Sequence, residues 1–210
     1  MNASIATRCK LAIGIGLFWV PLQQVFATDS QIGFFTEPAF TYELGATTAD
    51  YPSPFSHSSG RAEGFGLGLR AGFHRKEYFF GGLDLRYART QFTDSSIDYD
   101  AKSVSTNWGP VIGMQMPAVG MRFWATYVLG GELNPDGTNN LNIKFFGASG
   151  HRLGVGFRVF TVGVNFERQQ LKYDHGALEL FGPFPAGSTF DDVDLSNSTW
   201  IVSVSFPLVF

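Results

Sequence analysis

Cysteine is almost missing from this chain. The one present, Cys9, lies in the first 27 residues, ahead of a short apolar run. Beyond it there is no thiol, which excludes a disulfide, a thiolate metal site and a cysteine nucleophile. A lipid-modified cysteine would follow the apolar run, so Cys9 does not mark a lipoprotein. Long apolar stretches are missing too. After residue 27 none approaches the roughly 18 consecutive residues that signal a spanning helix, and mean hydropathy is +0.03. A basic excess is also absent: 15 Lys and Arg stand against 18 Asp and Glu. Removing Arg8 and Lys10 leaves 13 basic residues and a net charge of about −5, with no patch that suggests nucleic acid. Heptads and helical periodicity do not occur. The four dispersed histidines, His57, His74, His151 and His175, show no metal-ligand spacing. No cofactor and no metal site are expected.

What stands at the N terminus is a targeting pattern. Arg8 and Lys10 precede an apolar run from Leu11 to Val20, which Pro21 stops. Val25-Phe26-Ala27 then supplies small residues at the −3 and −1 positions of a signal-peptidase site. Residues 1–27 are therefore expected to be a cleaved signal peptide, and residues 28–210 one outer-membrane β-barrel domain.

The remainder alternates with period two in segments separated by turn-rich stretches. Eight such segments cover 40–47, 64–73, 82–88, 104–114, 121–130, 145–157, 160–167 and 200–210. An even count lets the last strand return beside the first and leaves no unpaired edge in lipid. Joints near 74–77, 117–120 and 158–159 are short, whereas 48–61, 93–102, 133–142 and 174–197 are long and polar. Short periplasmic turns, long extracellular loops and periplasmic termini follow. The expected fold is all-β: a transmembrane antiparallel up-and-down β-barrel of eight strands. Splitting the last loop at 178–181 gives a ten-stranded alternative.

The polar face of these segments decides which side is inside. It carries Glu43, Arg70, Asp84, Arg86, Arg122, Glu132, Arg152 and Glu167 among glycines and serines. Four charges of each sign among small residues suit a narrow lumen, since eight strands leave an interior just wide enough for side chains to fill. Buried there, the charges must pair, and Trp124 narrows the space further. The apolar face then points to lipid. Its aromatics fall in two tiers, with Phe73, Phe79, Phe123, Phe157, Phe160, Phe206 and Phe210 toward the turns. Tyr87, Trp108, Tyr127, Phe145, Tyr173 and Trp200 fall toward the loops.

Val202, Val204, Phe206, Leu208 and the terminal Phe210 step by twos to the C terminus. This resembles the C-terminal signal of bacterial outer-membrane barrels. Size and strand count resemble the outer-membrane protein A transmembrane domain and X-like barrels. The resemblance implies a Gram-negative cell-envelope location, contact with outer-membrane lipids and lipopolysaccharide, delivery by periplasmic chaperones to the barrel-assembly machinery, and a monomer.

Three functions compete. The first is a non-enzymatic barrel with a largely filled lumen and a structural or surface-interaction role, its specificity in loops. The last loop, with Glu179, Asp191, Asp192, Asp194, Phe181, Phe184 and Phe190, is the richest. The second is a small porin-like pore or apolar-solute conduit, opened by rearrangement of the lumen charges. The third is a lipid A-modifying enzyme using Ser149 and His151. These stand in the reverse of the H-x-S order of lipid A deacylases, with the nearest acid, Glu167, on the opposite face. The expectation is no catalytic residue.

Overall fold

A computed structural model describes residues 32–50, 57–76, 78–94, 99–137, 141–180, 188–190 and 194–210. The expected leader at 1–27, and Phe181, Phe184, Asp191 and Asp192 of the last loop, lie outside them. Period-two sequence with abundant Phe, Val and Thr favours extended backbone, and the described chain is strand almost throughout. The elements are β1 (Ile32–Asp50), β2 (Ser58–Arg75), β3 (Phe79–Asp94), β4 (Tyr99–Met116), β5 (Met121–Val128) and β6 (Gly130–Pro135). Then follow β7 (Leu141–Val159), β8 (Val162–Leu180), β9 (Ser188–Phe190), β10 (Asp194–Ser205) and β11 (Leu208–Val209).

Neighbouring strands pair antiparallel, with β5 and β6 both between β4 and β7 and β8 beside β10, and β10 returns to β1 from Ala39↔Ser205 to Asp50↔Asp194, closing the sheet. The wall has eight strands, because β5 with β6 and β10 with β11 are interrupted single strands. Among the described residues β9 pairs only with the end of β8, from Gly176 to Leu178, and the wall has the eight expected strands rather than the ten of the alternative. One turn differs from expectation. Residues 158–159 still belong to β7, which pairs Val159 with Val162 across a two-residue hairpin at Phe160 and Thr161. Phe160 takes φ 56° there and is 90% exposed, rather than opening a strand.

The strands are longer than a bilayer requires. Most run 16 to 19 residues, against about 9–11 for a tilted transmembrane strand. The excess lies on the loop side, where the polarity of the wall inverts. On the turn side, Phe40, Phe65, Leu67, Leu83, Leu85, Ile112, Phe157 and Phe166 point outward, and the interior is polar apart from a floor of Phe35, Phe80, Val111 and Trp124. On the loop side, Asp50, Arg61, Glu63, Gln91, Asp100, Lys102, Lys172 and Asp194 point outward. The interior there is an apolar cluster built on Phe92, Leu133, Phe145, Leu171, Tyr173 and Leu195. The outer face is thus apolar in the lower part and polar in the upper part, on one continuous sheet.

Three interruptions of the alternation complete that upper core, bringing Leu133 and Phe145 inside beside Phe92, Leu171, Tyr173 and Leu195, which keep the parity of their strands. Leu129 is an extra residue between β5 and β6, its N–H donating to the Trp108 carbonyl at 3.0 Å. Val128 faces inward, and after the bulge Leu133 and Pro135 do so instead of the even-numbered residues. In β7, Gly147 takes φ 74°, and in β8 both Asp174 and His175 point out. The inward pairs Ala148↔Tyr173 and Phe145↔Gly176 therefore stand three residues apart in each strand. Phe145 and Tyr173, expected in the loop-side aromatic tier, are fully buried inside instead.

Candidate functional site

The lumen gathers most of the chemistry-bearing side chains, arranged in layers. Nearest the turns, Phe35 and Phe80 meet edge to face at 5.6 Å, and Val111 and Trp124 complete an apolar floor. Trp124 fits because the strand opposite it carries Gly154: a Cβ there would overlap the indole. Arginines cover this floor, with the Arg70 guanidinium 4.4 Å above the Trp124 ring and that of Arg122 5.1 Å from Phe80. Such stacking leaves the in-plane N–H groups free for carboxylates.

Those carboxylates are supplied from across the barrel. Arg122 donates to both oxygens of Glu37 at 2.7 and 2.6 Å, and Arg70 reaches Glu37 at 3.4 Å. Asp84 accepts from Arg152 at 2.9 Å, Thr126 at 3.1 Å and Arg86 at 3.3 Å, with Arg70 3.5 Å away. Arg86 donates its Nη2 to both oxygens of Glu167, at 2.5 and 2.7 Å. Arg152, with no exposed surface, also donates to Gln169 at 3.0 and 2.7 Å and to Asn107. Asn165 bridges to Ser203 and Ser205 at 3.1 and 3.0 Å. The space beside Glu37, Arg70, Asp84, Arg86, Asn165 and Glu167 amounts to about 10 Å³ for the centre of a water-sized sphere, roughly one water.

Of the eight charges expected in the lumen, the structure places Glu43, Arg70, Asp84, Arg86, Arg122, Arg152 and Glu167 there, all buried. Glu43 has no ion pair within 4 Å among the described residues, unlike the other six. Glu132 is a correction. The Leu129 bulge turns it outward, where it lies 3.4 Å from Lys144 Nζ and is 42% exposed. Its place in the charge balance is taken by Glu37, which the sequence reading did not assign. Glu37 shares the parity of Glu43 in β1, three alternations earlier, but Pro38 obscured the strand. Pro38 is tolerated because β10 breaks opposite it: the ladder stops at Ser205, Phe206 N–H donates to the Pro38 carbonyl at 2.9 Å, and pairing resumes at Leu208.

Val202, Val204, Phe206, Leu208 and Phe210 all point outward, between 37% and 70% exposed. The Phe210 ring lies 6.3 Å from Phe34. His151 also points outward, with Ser149 two residues before it on the same side. Glu167 is inside on Arg86, and the wall separates it from His151. Asp194, of the last loop, holds Lys172 at 3.0 Å. Among the described residues no group of three or more His, Cys, Asp or Glu side chains could hold a metal ion.

The shape of this wall is shared with solved structures. The outer membrane protein OprG from Pseudomonas aeruginosa superposes with a TM-score of 0.52, covering 84% of this chain and 96% of its own at 7% identity. The chain has the outer-membrane β-barrel fold. Neisserial surface protein A matches at TM-score 0.47 and 11% identity, over 82% of this barrel and 96% of that protein. The outer membrane protease OmpT from Escherichia coli matches at 0.49 and 8%, over 85% and 97%. No family model matches this barrel, and no curated protein does.

Proposed function

We propose that the protein is an integral outer-membrane barrel with a sealed lumen, acting through its outer surface and loops in a structural or surface-interaction role. The observation that carries this reading is the lumen itself. An apolar floor, a layer of four arginines on Glu37, Asp84 and Glu167, and an apolar upper core succeed one another along the axis. Opening the middle layer separates buried charges, and breaking one such pair costs about 3–5 kcal/mol. In this reading the short turns and both termini are periplasmic, and the water-solvated upper storey is extracellular. The chain works as a monomer among outer-membrane lipids and lipopolysaccharide. Periplasmic chaperones and the barrel-assembly machinery engage the outward row from Val202 to Phe210. The test is solute flux into proteoliposomes containing heat-modifiable, folded protein. Swelling in small sugars is expected at the rate of protein-free vesicles, and faster swelling would overturn the sealed-lumen reading. A non-catalytic role further predicts unchanged lipid A mass spectra on expression. A mass shift abolished by Ser149→Ala or His151→Ala would replace that role with an enzymatic one.

A further inference from the structure

We propose that the outer wall carries a binding site for the phosphate of an anionic lipid, centred on Arg168. The proposal rests on the outward face lying in lipid, as argued above. Glu167 and Gln169 point into the lumen, so Arg168 between them points out. Its cross-strand neighbours are Leu153 and Trp200, 54% and 58% exposed, which makes it a charge within an apolar ring. The guanidinium stacks 4.7 Å from the Trp200 ring and donates to Ser198 Oγ, drawing its head one step toward the loop side.

That step brings it level with a row of neutral polar groups. The register places Ser198 beside Gln170, Gln170 beside His151, and His151 beside Tyr127. Gln170, His151 and Tyr127 are exposed on the outer surface. All four of these side chains can donate hydrogen bonds. The partners of Arg168 among the described residues are a ring and a hydroxyl, neither of them an anion. Three other outward cations have acids beside them. Lys172 lies 3.0 Å from Asp194 and 3.7 Å from Asp174, Lys144 lies 3.4 Å from Glu132, and Arg89 has Asp136 within electrostatic reach.

A guanidinium presents five donors in a planar fork matched to phosphate oxygens, and here one is used by Ser198. Aligned neutral donors beside it would complete a phosphate shell without competing charge. Below lie Leu153, Val155, Phe166 and Val202, each exposed and apolar, a surface for acyl chains that a free anion would not use. The occupant is therefore a lipid with its phosphate at the loop-side interface and its chains on this wall. Lipid A, with phosphate and acyl chains in one molecule, has that chemistry.

The experiment uses the full barrel in detergent, with heat-shifted gel mobility as the folding criterion. Native mass spectrometry then counts bound lipid after addition of bisphosphorylated lipid A, dephosphorylated lipid A, or lipid A with excess inorganic phosphate. The unaltered protein should retain the phosphorylated lipid about ten-fold better, the scale of one charge-assisted hydrogen bond, and inorganic phosphate should not displace it. Arg168→Gln should erase the preference. Equal retention of the two lipids, an undiminished preference in Arg168→Gln, or displacement by inorganic phosphate would each overturn the proposal. The comparison of lipids on the unaltered protein decides the matter even where the variant fails to fold. Loss of the heat-modifiable form in the unaltered protein would instead overturn the membrane-barrel reading.

Discussion

Replacing Glu37 should expose how the lumen is held. Its carboxylate accepts two hydrogen bonds from Arg122, at 2.7 and 2.6 Å, and a longer one from Arg70. Arg70 has a second partner, Asp84, at 3.5 Å, whereas among the described residues the only carboxylate bonded to Arg122 is Glu37. Glu37→Met therefore strands Arg122 above Phe80 with its charge uncompensated. Losing one partner of a buried pair costs about 3–5 kcal/mol, which is about two to four decades in the folded-to-unfolded ratio. Arg122→Met should cost a similar amount by stranding Glu37. The double variant removes one charge of each sign and leaves Arg70 on Asp84, so its cost should fall to about 1 kcal/mol or less, because replacing a whole buried pair by apolar groups is often neutral. Urea unfolding in micelles, followed by tryptophan fluorescence and gel mobility, measures all three. Additive costs, or single substitutions below about 1 kcal/mol, would refute the assignment of Glu37 and Arg122 as a coupled, desolvated pair.

The other predictions concern the packing around that layer. Gly154→Ala places a Cβ against the Trp124 indole; it should cost about 1–3 kcal/mol by overpacking and shift the tryptophan emission, whereas unchanged emission and stability would contradict the packing. Phe145→Ala removes a fully buried ring 6.3 Å from Phe92 and 6.5 Å from Tyr173. The expected loss is about 3–5 kcal/mol, without ion conductance, since the arginine layer beneath stays intact. Deleting Leu129 removes the extra residue and joins Val128 to Gly130 in strict alternation, keeping Leu133 inward and Glu132 outward. That deletion should preserve the heat-modifiable form, and its loss would contradict the reading of Leu129 as a bulge residue.

The period-two signal made the eight-stranded wall, its closure and its two faces readable from sequence, because each lipid-facing strand must alternate wherever the other face lines a lumen. The seven expected lumen charges that the structure buries all lie where that alternation is unbroken. Misreadings cluster where it changes. Glu132 follows the Leu129 bulge, and one extra residue reverses every later side chain in its strand. Phe145 lies beyond the parity change at Gly147, a backbone conformation rather than a residue pattern, whereas Tyr173 is the exception: it keeps the unbroken inward parity of Glu167, which its aromatic ring masks. A positive φ at glycine leaves no mark in the hydrophobic pattern. Glu37 was hidden by Pro38, which is poor strand material unless the partner strand is broken opposite it, and only the structure reveals the gap between Ser205 and Leu208. The inversion of polarity in the upper storey escaped for a related reason. An apolar residue in a membrane barrel was assigned to lipid, yet above the bilayer the same residue type belongs inside.

Planar-bilayer recording of the folded barrel tests the sealed lumen most directly. The charge layer, closed by Glu37, Asp84 and Glu167 on four arginines between apolar floor and upper core, predicts a membrane that stays at baseline conductance across applied voltage. Stable unitary steps that scale with salt, and that change in Arg122→Ala, would contradict it.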